Sequence, residues 1–226
     1  MGDNKTSQKA QDYDKNIDKT IPYYSLFAEE IAKLVKVVHA APSAWLDTGC
    51  GTGILVSKMA QIFTSAKFTM ADPAAAMLAE AKQKFTDKQI EQLQFILIGT
   101  EDMQCNEEQF DVITAILAHH YLDNETRRLA TENCFKMLRQ GGIYITFETI
   151  KPATQQGIQL GLAKWGKAQI ENGKSKEAAE KHISRFGIEL NPISIHEHLE
   201  LLRQVGFTTV ELFWASNMQA GFYAIK

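Results

Sequence analysis

The chain has 226 residues, 45% of them hydrophobic and 23% charged, a balance that excludes a disordered or fibrous protein and suffices for one large domain or two small ones. Its 24 lysines and arginines against 27 aspartates and glutamates give a formal charge of -3, which disfavours a dedicated nucleic-acid or membrane-surface protein. The three cysteines, Cys50, Cys105 and Cys134, have no paired or CxxC spacing, which argues against a disulfide framework or a zinc site and points to a reducing, cytoplasmic location.

The first 20 residues are polar, with four lysines balanced by four aspartates, and no long apolar run follows, so neither a signal peptide nor a membrane span is expected. Tyr13 to Lys19 reads as a short helical turn. Thr20 and Pro22 then open a helix on which Phe27, Ile31, Leu34 and Val38 recur at helical spacing, ending near His39. Ala44 to Asp47 reads as a buried strand, followed by a glycine-rich turn and a helix from Ile54 to Phe63. Lys67 to Ala71 is a second strand, and Pro73 begins a helix whose Ala74, Met77, Leu78, Ala81 and Phe85 share a face. Leu93 to Ile98 and Phe110 to Leu117 are the third and fourth strands. Asp123 caps a helix that runs to Arg139 with Gly141-Gly142 as its stop, and Ile143 to Glu148 is the fifth strand.

Strands separated by helices imply crossover connections and a parallel sheet. Residues 151–190 break the rhythm, with seven basic residues against four glutamates, a net +3 that leaves -6 on the rest of the chain. They read as a helical cap insertion. Ser194 to Gln204 is an amphipathic helix closed by Gly206, and Phe207 to Phe213 with Gly221 to Ile225 form a terminal hairpin around Ser216-Asn217. The expected fold is α/β, a doubly wound Rossmann-like sheet of seven strands with a C-terminal antiparallel hairpin. One domain spans 1–226, with 1–40 as an N-terminal helical lid and 151–190 as the helical cap insertion.

The strongest motif is Asp47-Thr48-Gly49-Cys50-Gly51-Thr52-Gly53, between the first strand and its helix. Glycines there let a ligand approach the backbone, and the helix N-terminus offers free N–H donors. Asp72 ends the second strand, where a carboxylate can accept both ribose hydroxyls. A dinucleotide fits poorly: the position of the fingerprint's third glycine is Ile54, and Asp47 would repel a pyrophosphate. S-adenosylmethionine, which carries a sulfonium and an ammonium, would be attracted by that acid.

On these residues the chain resembles the class I S-adenosylmethionine-dependent methyltransferases from about Tyr13 to Lys226. The resemblance matches Leu46 to Gly53 to the first motif, Asp72 to the ribose acid, Gly99-Thr100-Glu101-Asp102-Met103 to the adenine loop, and Phe110 to Ile113 with Ile116 and Leu117 to the fourth motif. The cofactor residues it implies are Tyr24, Asp47, Gly49, Gly51, Gly53, Asp72, Pro73, Met77, Glu101, Asp102, Met103, Ile116 and Leu117. The ends, Ile21 to Ser25 and His196 to Lys226, look like the carboxy-S-adenosylmethionine synthase branch. That branch holds an extra carboxylate with an arginine of the late insertion; Arg185 is the only arginine there and is offset from the family's position.

Methyl transfer is an in-line displacement, so alignment can supply roughly 7–11 kcal/mol and a base is needed only where the nucleophile loses a proton. His119 and His120, just past the fourth strand at the carboxyl edge of the sheet, are the candidate bases, beside Tyr121. His196 and His198 stand two apart on a helix and do not share a face, so no metal site is expected. Tyr13, Tyr23 and Tyr24 sit where a family lid would fold over the cofactor or simply pack the helix start. Tyr13, Tyr121, Trp165 and Arg185 are the candidate substrate residues, and Cys50 is a packing residue. The expected function is methyl transfer to a small-molecule acceptor of anionic character by a monomer or homodimer, without nucleic-acid or membrane partners. The alternatives are a carboxy-S-adenosylmethionine synthase-like enzyme supplying tRNA wobble-uridine modification and a non-catalytic S-adenosylmethionine-binding module.

Overall fold

A computed structural model describes residues 4–104 and 108–226, so Cys105 lies outside the described residues. Two helices lead, α1 (Ala10–Thr20) and α2 (Tyr24–Val38). The first extends beyond the short turn expected at Tyr13 to Lys19, because Ala10, Ile17 and Thr20 bury one face against the body and tertiary packing sustains a polar segment as helix.

The sheet comprises β1 (Ala44–Thr48), β2 (Lys67–Asp72), β3 (Leu93–Leu97), β4 (Phe110–Ile116), β5 (Leu138–Thr149), β6 (Thr209–Ser216) and β7 (Gln219–Ile225), in the order β3-β2-β1-β4-β5-β7-β6. The first five strands pair in parallel, and β7 enters antiparallel between β5 and β6. Helices α3 (Ile54–Ile62), α4 (Ala75–Lys82), α5 (Asp87–Ile90), α6 (Asn124–Met137), α7 (Gln155–Glu171), α8 (Lys176–Ile183) and α9 (Ile195–Val205) complete the chain. Alternate strand residues feed two cores: Trp45, Met70, Ile145 and Phe147 pack on α2 and α3, while Leu46, Ile113 and Tyr144 pack on the side of Cys134 and Leu202.

Other boundaries differ from expectation too. The helix capped by Asp123 ends at Met137, not Arg139, because Leu138 already pairs with Phe110. Gly141-Gly142 is therefore not a helix stop but an irregularity within β5, where a Cβ on Gly142 would lie 2.8 Å from the Arg139 carbonyl. After β2 the helix begins at Ala75, with Pro73 and Ala74 in the connection.

The N-terminal segment and the insertion converge on one edge. Asp14 of α1 accepts a hydrogen bond from Thr52 in the glycine turn and pairs with Lys84, while the Trp165 indole N–H donates to the Thr20 carbonyl at 2.8 Å. Both segments thus cover the carboxyl ends of the parallel strands. No helix among the described residues is long and apolar enough to cross a membrane.

Candidate functional site

β1 delivers the glycine turn to the carboxyl edge of the sheet, and Gly49, Gly51 and Gly53 all have left-handed φ, at 61°, 54° and 74°. Their roles divide. A Cβ on Gly49 would lie 2.4 Å from that of Ala118 and one on Gly53 2.6 Å from Met70 Cε, so both serve packing, whereas one on Gly51 would meet nothing within 4 Å. Gly51 borders a cavity of about 320 Å³, and the missing side chain leaves room there for a ligand.

Asp72 shapes the same turn. Its Oδ2 accepts from the Gly51 N–H at 2.9 Å and its Oδ1 from the Ala74 N–H at 2.8 Å. Burial raises its pKa, and these two bonds oppose the rise. Asp47 is buried behind the turn and accepts from Thr114 Oγ1 at 2.6 Å; burial outweighs that bond and pushes its carboxyl up to about 7. A cation in the cleft would favour its ionised form, so the acid and the cavity fit a cationic cofactor.

Of the residues expected to hold the cofactor, Gly49, Gly51, Asp72, Pro73, Met77, Glu101, Ile116 and Leu117 line the cavity, together with Tyr13, His119 and Tyr121. Tyr24, Asp47, Gly53, Asp102 and Met103 do not. Tyr24 packs on Phe27 with ring centroids 5.4 Å apart, Asp102 faces solvent, and Met103 is buried with its sulfur 3.9 Å from Thr48 Oγ1. The 99–103 loop is held from behind: Asn133 Nδ2 donates to the carbonyls of Thr100 and Glu101, both at 3.0 Å. At the end of β4, Leu117 has φ 55°, an uncommon conformation for a branched side chain that marks the turn into His119 and His120.

A second cavity, of about 30 Å³, lies beside the first and shares Thr6, Tyr13, Leu117 and Tyr121 with it. All four expected substrate residues, Tyr13, Tyr121, Trp165 and Arg185, line it, with His120 and His182. The Arg185 guanidinium is buried, 5.8 Å from the Tyr121 ring centroid, with Nε on Glu189 at 2.7 Å and Nη2 on the Lys5 carbonyl at 2.6 Å. The two candidate bases separate: His119 faces the larger cavity and His120 the smaller. Burial lowers the His119 pKa to about 4, so its ring is neutral. His196 is exposed while His198 is buried against Phe222, pointing away from each other as their spacing requires.

Several supporting residues carried no local motif. Glu148 on β5, fully buried, receives both backbone N–H groups of His119 and His120. Arg127 of α6, 2% exposed, donates to the carbonyls of His119 and Leu122 and to that of Asn191. Residues 4–6 line the larger cavity from the polar tail. Only Glu148 left a trace in the sequence, as the lone charge in the otherwise apolar or hydroxylic run from Ile143 to Ile150.

Comparison with known proteins adds relatives to this geometry. A family model described as a methyltransferase domain matches residues 46–142. The chain is 23% identical over 227 residues to a carboxy-S-adenosyl-L-methionine synthase of Staphylococcus epidermidis, covering 98% of this chain and 96% of that one. It is 30% identical over 148 residues to malonyl-[acyl-carrier protein] O-methyltransferase 1 of Ilyobacter polytropus, covering 64% of this chain and 53% of that one. Among solved structures, the plantazolicin methyltransferase BpumL aligns with a TM-score of 0.71 at 15% identity, over 96% of this chain and 88% of the other, a likeness of fold. The strand order, the glycine turn and the matched domain agree: the chain carries a methyltransferase domain, it resembles the carboxy-S-adenosylmethionine synthases over nearly its whole length, and S-adenosylmethionine is its cofactor.

Proposed function

We propose that this enzyme transfers the methyl group to a small anionic acceptor that enters beneath the insertion. The observation that carries the reading is the convergence of Tyr13, Tyr121, Trp165 and Arg185 on one small cavity that shares lining residues with the larger one. In this reading Asp72 accepts the ribose hydroxyls, Gly49 and Gly51 run beside the methionine portion, and Glu101, Met77 and Ile116 flank the adenine. Asp47 supplies the negative charge that balances the cationic end. The contribution of the chain is alignment, which the buried rings and the neighbouring cavities favour by excluding water. The basic insertion, net +3 on a body of -6, draws the anion to the acceptor side.

Calorimetric titration with S-adenosylmethionine, followed by a methyl-transfer panel of small carboxylic acids, phenols, amines and thiols, tests this reading. Binding with turnover of an anionic member is expected; turnover confined to neutral or cationic acceptors would overturn it. A second reading, carboxy-S-adenosylmethionine synthesis, is favoured by the full-length likeness and by the place of Arg185 beside the cofactor cavity. Mass spectrometry of the copurified ligand separates the two, since that product is heavier by one carboxyl group in place of a hydrogen.

A further inference from the structure

The smaller cavity holds two imidazoles whose neighbours fix their protons in opposite senses. Glu148 accepts from the N–H groups of His119 at 3.1 Å and His120 at 3.0 Å, and from Thr146 Oγ1 at 2.8 Å. Its Oε2 also lies 2.8 Å from His120 Nδ1. Burial raises the Glu148 pKa, but the bond to His120 and the imidazoles around it bring it well below the usual range, so the group is a carboxylate and only accepts. An unprotonated Nδ1 would then set two acceptors against each other. The Thr149 N–H also points at this nitrogen, at 3.4 Å, and the charged carboxylate at 2.8 Å outweighs that longer, neutral contact. In the neutral ring the proton therefore sits on Nδ1, which leaves His120 Nε2 as the accepting nitrogen of a ring that lines the cavity.

His182 is held in the other sense. Lys174 Nζ, which can only donate, lies 3.1 Å from Gln169 Oε1, and this orients the amide so that its Nε2 meets His182 Nδ1 at 3.1 Å. An amide N–H donates, so Nδ1 accepts. Burial and the nearby Lys174 and Arg185 lower the His182 pKa to about 3, and the neutral ring carries its proton on Nε2. His182 lines the same cavity as His120, and its ring meets the Trp165 ring edge-on at 4.9 Å.

We propose that His120 is the general base and His182 the hydrogen-bond donor of an acceptor site for a protonated oxygen nucleophile, a small molecule with an ionisable hydroxyl beside a second oxygen. The assignment rests on the methyl-transfer reading above and deepens it. As the acceptor oxygen bonds to the methyl carbon, the carbon–sulfur bond breaks with its electron pair left on sulfur. The hydroxyl proton passes to His120 Nε2, and the resulting imidazolium is paired with Glu148 before losing a proton to solvent. His182 Nε2–H binds the second oxygen. Glu148 is a positioning residue, since it acts through His120.

Long-range proton–nitrogen NMR spectra of the full chain labelled in histidine, with and without S-adenosylhomocysteine, read the two tautomers directly. Protonation of His120 on Nδ1 and of His182 on Nε2 is expected, each ring being assigned by its absence in His120→Gln or His182→Gln. The same tautomer on both rings, or the reverse arrangement, overturns the proposal. With an acceptor from the panel, His120→Gln should lower kcat at least about 100-fold and remove the acid limb of the kcat/KM profile. That limb would be shared with the charged and titratable groups around the ring: Glu148 on β5, Arg127 on α6, His198 on α9, His182 and Arg185 of the insertion, and His119 and Tyr121 in its own turn. His182→Gln should raise KM more than it lowers kcat. A His120→Gln enzyme with kcat close to wild type, or a panel that yields only nitrogen or thiol acceptors, defeats it. A panel with no acceptor counts against the methyl-transfer reading instead, and the tautomers still decide the proton assignment.

Discussion

On the cofactor side of the cleft the wall comes largely from short stretches, the glycine turn, the connection after β2, residues 99–101 and the turn at 116–122, and glycines and alanines among them leave backbone to face the ligand. On the acceptor side Tyr13, His120, Tyr121, Trp165, His182 and Arg185 come from α1, the turn after β4 and the insertion, and what they offer is side chains. The difference teaches where change is tolerated. A wall made of backbone accepts many side chains but not a misplaced Cβ. A wall made of side chains can be refitted to another acceptor while the sheet stays as it is, provided that its supports hold.

The largest expected effect is on the acceptor side. Trp165→Ala removes a fully buried indole and the donor to the Thr20 carbonyl, and should cost about 3–5 kcal/mol in chemical denaturation. A much smaller cost would mean that the insertion is not fastened to α1 as described. On the cofactor side, Gly49→Ala combines left-handed strain with a 2.4 Å approach to Ala118 and should cost roughly 3 kcal/mol of stability. Gly51→Ala meets no protein atom, so only about 1 kcal/mol of strain is expected, with the larger loss appearing in affinity for S-adenosylmethionine. Equal effects of the two alanines on binding would erase the distinction between a packing glycine and a ligand glycine.

Asp72→Ala should weaken S-adenosylmethionine roughly 10–100-fold by calorimetry, since it removes a charged acceptor and two bonds that shape the turn. The smallest effect is one of pH. The folded value of Asp47, about 7, lies above its ordinary 3.8, so its contribution to stability is complete below 3.8 and is lost as pH rises through about 7. A bound cation favours the ionised acid, so affinity should rise with pH toward that value, by at most about tenfold per unit, with proton release visible as a dependence of the binding heat on the buffer. An affinity that is flat across this range would separate Asp47 from the cationic end of the cofactor.

The legibility of the molecule followed the same division. The alternation of strands and helices, the turn from Asp47 to Gly53 and Asp72 at the end of β2 could all be read because each is a local pattern: periodicity, punctuation by glycine, and a fixed spacing along the chain. The boundary at Met137 could not, since a helix-like stretch was ended by the pairing of Leu138 with Phe110, a strand residue 28 positions earlier. Asp102 looked as good as Glu101 in the loop, and only the packing of Asn133 against that loop decided which carboxylate faces the cavity.

By itself, then, the sequence determined the class of fold, the position of the cofactor turn and the nature of the cofactor, because these depend on backbone conformation and on spacings of a few residues. The tertiary structure alone decided the acceptor side: that Arg185 and Trp165 meet Tyr13 and Tyr121, that His119 and His120 face different cavities, and that Glu148 and Gln169 set the protons of His120 and His182. Those relations join residues up to 172 positions apart, Tyr13 to Arg185, and proximity of that kind arises only when the sheet has closed and its two covering segments have packed against each other.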